Sequence, residues 1–196
     1  MKLTKPQFLF LILFFSLLRI HAQKKTYIDI GLDFSGPQSK SYFFNDSENA
    51  IYNEEIEETG LLLYYGINAS YEYFLLNKWS VGILAGINTD SQQKFSHLRL
   101  GGILKYYYIT EKKHHFFLSV ANNKSLNKNK YTDGTNLKLG MAFPFYSFDN
   151  KTFILDLFWE QNYYKMDGAN KLLNLPDELP RSLTVKSLGL GFHFYF

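Results

Sequence analysis

The side chains able to do chemistry are few, and their spacing is unhelpful to most reactions. The 196-residue chain has no Cys, which removes disulfides, thiolate zinc sites and cysteine nucleophiles together. Five His remain, with the carboxylates and hydroxyls. Hydrolysis or acyl transfer needs a base within hydrogen-bond reach of a hydroxyl and a carboxylate. His97 follows Ser96 directly and is the single candidate for that role. His115 and Ser119 share a face if the segment is extended, but four strand steps separate them by about 13 Å. His114 and His115 follow Lys112 and Lys113. Neighbouring strand residues point to opposite faces, so this pair reads as a solvated basic turn rather than a metal site. His193 lies in a glycine-rich segment and reads as a space-filling residue. No cofactor, metal or catalytic residue is expected on this basis.

The charged residues form two further groups. Asp29, Asp33, Glu72, Asp156 and Glu160, with Arg99, Lys105 and Lys138, all fall opposite the apolar positions of their segments. An unpaired charge in a dry interior is expensive, so these eight are expected to pair with one another. The second group is acidic: Asp46, Glu48, Glu54, Glu55, Glu57 and Glu58 lie in one polar stretch that holds only Lys40 as counter-charge. Their spacing does not match a calcium-binding EF-hand loop. A solvated loop is the leading reading, and a divalent-cation site bridging external phosphate groups or a protein-binding surface are the alternatives.

The elements that must position these residues are strands. Residues 1–22 stand apart: Lys2 and Lys5 precede the apolar run Phe8–Leu18, and Ala22 offers a small residue for cleavage. This is the order of a secretory signal peptide, too short to serve as a membrane-spanning helix. Removing Lys2, Lys5 and Arg19 turns a net charge of +3 into 18 positive against 18 negative residues. Residues 23–196 form one domain with no electrostatic footprint for nucleic acid. Within it, two-residue alternation recurs eight times. Ile28, Ile30, Leu32 and Phe34 oppose Asp29, Gly31 and Asp33, for example, and Leu188, Leu190, Phe192, Phe194 and Phe196 oppose Gly189, Gly191 and His193.

A soluble sheet would carry Lys, Glu and Thr opposite its apolar face. Here that face carries Gly, Ser, Asn, Tyr and charges of both signs, the pattern of a narrow lumen surrounded by lipid. The 15 Tyr and 19 Phe exceed the needs of one small core. Tyr71, Tyr73, Trp79, Tyr106, Tyr108, Phe145, Phe194 and Phe196 fall at strand ends, where two interfacial girdles would use them. Short joins near residues 75–78, 110–114 and 148–151 alternate with long ones at 36–59, 89–96, 123–134 and 167–181. The expected fold is all-β, an eight-stranded antiparallel up-and-down transmembrane β-barrel with a filled lumen and no continuous pore. Two irregularities are expected. Pro144, lacking an amide donor, predicts a bulge. Leu183 and Val185, out of phase with Leu188, predict another near Lys186–Ser187 or a rim segment beyond the membrane. The long join containing Leu172, Leu173, Leu175 and Leu179 is oddly apolar, fit either to pack on the rim or to face a partner.

Gly191, Phe194 and the terminal Phe196, in GLGFHFYF, resemble the carboxy-terminal signal by which outer-membrane barrels are recognised by the barrel-assembly machinery. With eight strands, the chain is similar to small barrels of the OmpX or OmpA type, in a Bacteroidota-like version. Gly189 stands where that signal prefers a polar residue. The resemblance implies outer-membrane residence among lipid and lipopolysaccharide, the assembly machinery as a partner during biogenesis, and a monomer. The role expected is structural or surface-interacting, with an extracellular protein as one candidate partner. A lipid-modifying enzyme centred on His97 and a small-solute channel are the alternatives.

Overall fold

The computed structural model describes residues 26–46, 50–55, 64–90, 96–109, 114–126, 133–149, 151–166 and 171–196. Residues 1–25, and with them the expected signal peptide, lie outside the described residues. Alternating polarity becomes strand throughout: β1 (Thr26–Asn45), β2 (Ile51–Glu55), β3 (Tyr64–Leu76), β4 (Trp79–Asp90), β5 (Ser96–Ile109), β6 (His114–Ser125), β7 (Gly134–Phe148), β8 (Lys151–Lys165) and β9 (Leu179–Tyr195). All pairings are antiparallel between neighbours, and β1 also pairs with β9. Eight strands therefore close a ring, with β2 as an addition on the long-loop side of β1.

Closure decides which face is inside, and it is the polar one. Ile83 is 71% exposed and Ile67 59%, whereas Glu72 and Lys105 are 0% and 2% exposed. The molecule is thus apolar outside and charged inside, the reverse of a water-soluble protein. Along β6, Phe116, Leu118 and Val120 point out while His115, Phe117, Ser119 and Ala121 are buried within.

The first strand corrects the expectation of a strand ending near residue 34 and a loop from Gly36. β1 continues to Asn45, and its register against β9 shifts between Pro37 and Ser39. The extra residue flips the alternation: even-numbered residues face out up to Phe34, then Lys40, Tyr42 and Phe44 are buried inside. β2 folds back on this extension, pairing Ile51–Glu55 with Asn45–Ser41.

From Leu183 to Tyr195, β9 keeps a single phase. Leu183 and Val185 are fully inside, in step with buried Ser187, and β8 pairs with β9 without a shift. The irregularity expected near Lys186 and Ser187 thus lies across the ladder in β1, while a second register shift, between Phe43 and Phe44, skips Arg181 in β9. The bulge expected at Pro144 is present, as a register shift between Pro144 and Tyr146.

The aromatic positions divide differently from the two girdles expected. All eight lie toward the short-turn end, where Trp79 packs on Tyr106 at 4.8 Å and Phe194 on Phe153 at 5.0 Å and on Phe196 at 5.4 Å. The opposite rim is served by other rings, including exposed Tyr65 and Tyr163.

Candidate functional site

The lumen is stacked in layers from the short-turn end upward, each set by register. Tyr195 closes the lowest layer. Its ring stacks on Tyr27 at 4.9 Å, and its hydroxyl lies 2.6 Å from that of Tyr107. Tyr107 in turn packs on Phe74 and His115, each at 4.8 Å.

Above it sits the charge layer. Lys105 Nζ donates to Asp29 Oδ2 at 2.8 Å and reaches Glu72 Oε1 at 2.6 Å. Ser70 and Ser80 donate to the two Glu72 oxygens at 2.7 and 3.0 Å. Lys138 pairs with Asp33, which also accepts from Asn68 at 2.5 Å. His193 is the centre: Nδ1 is 2.8 Å from Asp29, and Nε2 is 3.2 Å from Asp33 and 3.5 Å from Asp156. Both ring nitrogens face carboxylates, an arrangement that a ring protonated on both nitrogens satisfies by donating to each side. It fits because it crosses two glycines. A Cβ on Gly31 would stand 2.4 Å from the ring, and one on Gly191 would stand 2.7 Å from Asp33 Oδ1 and 2.9 Å from His193 Nε2.

A third layer is built on Glu160. It pairs with Arg99 at 3.5 Å and accepts from Ser35 at 2.6 Å and Asn136 at 3.2 Å. Asn123 and Asn136 both donate to Asn162, at 3.0 and 2.9 Å. All eight charged residues picked out by parity are therefore inside and buried. The void left among the central charges is about 20 Å³, room for about one water molecule.

The uppermost layer is apolar. Tyr42, Phe44, Tyr64, Tyr164, Met166, Leu183 and Val185 form one buried cluster, with Leu172 and Leu173 laid over it. A single carboxylate holds that cover down. Glu178 accepts from the Tyr42 hydroxyl at 2.5 Å and from the backbone N–H groups of Leu172 (2.7 Å), Leu173 (3.3 Å) and Leu175 (3.2 Å). Burial alone would raise its pKa, but these hydrogen bonds prevail and hold it below the ordinary carboxylate value.

Several residues stand elsewhere than their sequence positions suggested. His97 is buried in the lumen, stacked on Tyr164 at 4.9 Å. Ser96 sits on the opposite face, its hydroxyl 2.9 Å from that of Thr89, so the two do not form a hydroxyl–imidazole pair. His115, expected in a solvated turn, is buried. It occupies an inward position one residue beyond the turn, whereas His114 points out beside Tyr108 at 5.8 Å. Of the acidic loop group, Asp46 accepts from the Ala50 amide and the Tyr52 hydroxyl, and Glu54 and Glu55 are exposed on β2. Glu48, Glu57 and Glu58 lie outside the described residues. Among the described residues there is no cluster of three or more metal-type ligands.

Three functional side chains escaped the sequence reading. His193 was legible as inward-facing but not as a hub, because its height against Asp29 and Asp33 follows from the β1–β9 register. Lys40 was hidden by the phase flip at the bulge. Glu178 lies outside any alternation and left no signal.

Fold and site together define a closed eight-stranded β-barrel with an apolar outer wall and a plugged, charge-paired interior. No protein-family model and no curated protein matches the chain. Among solved structures it is similar to the outer membrane protein OprG from Pseudomonas aeruginosa, at 13% identity over 86% of this chain and 95% of that one, with a TM-score of 0.43. It is also similar to the outer membrane protein AlkL in lipid bilayers, at 14% identity over 89% and 92% with a TM-score of 0.45. Neisserial surface protein A gives 11% identity over 86% and 95%, again with a TM-score of 0.45. These likenesses are of architecture.

Proposed function

We propose that this chain is an integral outer-membrane barrel, exported by residues 1–22, with a structural or surface-interaction role and no continuous pore. One observation carries the reading: an apolar wall runs around the whole ring while charges are buried inside it. In water that arrangement would leave the hydrophobic surface unsatisfied; in a bilayer the closed ring of eight strands pairs its edges and its outward apolar band matches lipid. The Gly191, Phe194 and Phe196 pattern and the resemblance to OmpX- or OmpA-type barrels of Bacteroidota support the same membrane. The stacked layers argue for a structural role over conduction, since ions would have to cross both the charge layer and the apolar cap. The enclosure of His97 argues against lipid-modifying catalysis. We read the protein as a monomer whose partners are outer-membrane lipid, lipopolysaccharide, the assembly machinery and, through the β1–β2 hairpin, an extracellular protein.

The test is outer-membrane fractionation with a gel run on heated and unheated samples. A folded barrel in the membrane fraction migrates differently before and after boiling; a soluble periplasmic protein with no shift would overturn the proposal. Insertion into planar bilayers should give no stepwise conductance.

A further inference from the structure

The outer wall carries two apolar grooves of similar size, and they differ in what stands above them. One, of about 680 Å³, runs across β7, β8 and β9 between Leu139, Met141, Leu157, Trp159, Leu188 and Leu190. The other, of about 610 Å³, runs across β1, β3, β4 and β5 past Ile67, Ala69, Ala85 and Ile87. Trp159 pairs with Leu188 at the upper end of the first groove, and the next outward pair is Gln161 with Lys186, about 7 Å higher along the strands. Beyond it, Lys165 pairs with Ser182, and exposed Arg181 lies at the same level, its carbonyl accepting the Met166 amide at 2.8 Å. Lys124 adds an exposed cation at the same end of β6, and Asp133 is the neighbouring acid. The second groove ends instead beneath Tyr65, Thr89 and Ser96, all uncharged.

Height matters as much as sign. Five outward apolar residues of β9, from Phe196 to Leu188, precede Lys186. That run covers about 27 Å of strand, or roughly 21 Å along the normal at a 40° tilt, close to the lipid-facing band of such barrels. Lys186 therefore stands at the headgroup level of the long-loop side. Resting on the membrane reading above, we infer that the β7–β9 face is a binding site for a phosphate-bearing lipid of the outer leaflet. An acyl chain lies in the groove along Trp159 and Leu188, and the phosphate is held by Lys186, with Lys165 and Arg181 adding positive potential about 13 Å further along the strands. The groove across β1, β3, β4 and β5 offers an acyl chain the same room, but among the described residues no outward cation stands above it.

The two Trp residues make the test direct, because Trp159 lines the first groove and Trp79 lies on the other side near the short turns. The protein is reconstituted in bilayers containing bromine-labelled phosphatidylglycerol or phosphatidylcholine of identical chains, and Trp quenching is measured. With Trp79→Phe, the remaining Trp159 should be quenched preferentially by the anionic lipid, and Lys186→Ser should lower that preference roughly fivefold. With Trp159→Phe, Trp79 should show no preference. Lys186 is exposed on the wall, so its loss leaves the fold intact. Equal quenching of Trp159 by both lipids, or a preference unchanged by combined Lys186→Ser and Arg181→Ser, would overturn the site while leaving the barrel in its membrane. No quenching by either lipid would overturn the membrane reading along with it.

Discussion

Removing the cation at the centre of the lumen should be the costliest single polar change in this protein. His193 stands between Asp29, Asp33 and Asp156 at 2.8, 3.2 and 3.5 Å, and Lys105 and Lys138 are already engaged with Asp29, Glu72 and Asp33. His193→Gln keeps a hydrogen-bonding side chain of similar reach but leaves three buried carboxylates around a neutral group. Breaking a buried pair by removing one partner costs about 3–5 kcal/mol, a large part of the roughly 5–15 kcal/mol that holds a domain folded. Asp156 is the carboxylate with least support, since its Oδ1 has no hydrogen-bond partner. Asp156→Asn should therefore be nearly neutral alone, and in the double variant it should restore about 1–3 kcal/mol of the His193→Gln loss. The assay is urea unfolding of the barrel in detergent micelles, followed by Trp fluorescence and by the heat-dependent gel shift. A His193→Gln loss below about 1 kcal/mol, or strict additivity with Asp156→Asn, would refute the charge-balance argument.

The cover over the mouth should respond to acid. Because the folded Glu178 pKa is lowered, its contribution is complete above the ordinary carboxylate value and is lost as pH falls through the folded value. The protection factors of the Leu172 and Leu173 amides, taken relative to the intrinsic exchange rate at each pH, should fall on acidification, and Glu178→Gln should produce a comparable fall, roughly tenfold, already at neutral pH; protection unaffected by either change would show that the leucines alone hold the segment. Gly191→Ala places a methyl group 2.7 Å from Asp33 Oδ1 and should cost about 1–3 kcal/mol through crowding of His193. That loss should appear in refolding from urea in micelles, where no assembly machinery is present, and a wild-type midpoint there would remove the packing role.

Most of the barrel was legible in the chain because a period of two is a strong signal when one face meets lipid and the other a lumen. Parity alone placed Asp29, Glu72, Arg99, Lys105 and Glu160 inside. Parity reports a face, however, and not a height. That Lys105 meets Asp29 and Glu72, while Arg99 meets Glu160, depends on registers such as Gly86↔Arg99 and Ser80↔Lys105. The phase flip in β1 was invisible for a related reason: one inserted residue inverts every later assignment, and Pro37 was the only mark of it. The eight aromatics picked out fell on one rim because strand ends were counted without asking which rim each end belonged to; the other rim is served by rings such as Tyr65 and Tyr163.

The seam between β1 and β9 runs from Asp29↔Tyr195 to Asn45↔Leu179, so the first and last strands of the chain form a long ladder joining its two ends. Asp29, Asp33 and Gly31 lie on one side of it, and Gly191 and His193 on the other. The strand that closes the ring is therefore also the strand that brings His193 to the acids of β1. Without β9, β1 keeps an open hydrogen-bonding edge and Asp29, Asp33 and Asp156 lack their shared partner. Closure of the wall and charge balance of the interior thus depend on the same ladder, and a chain cut short before β9 would have neither.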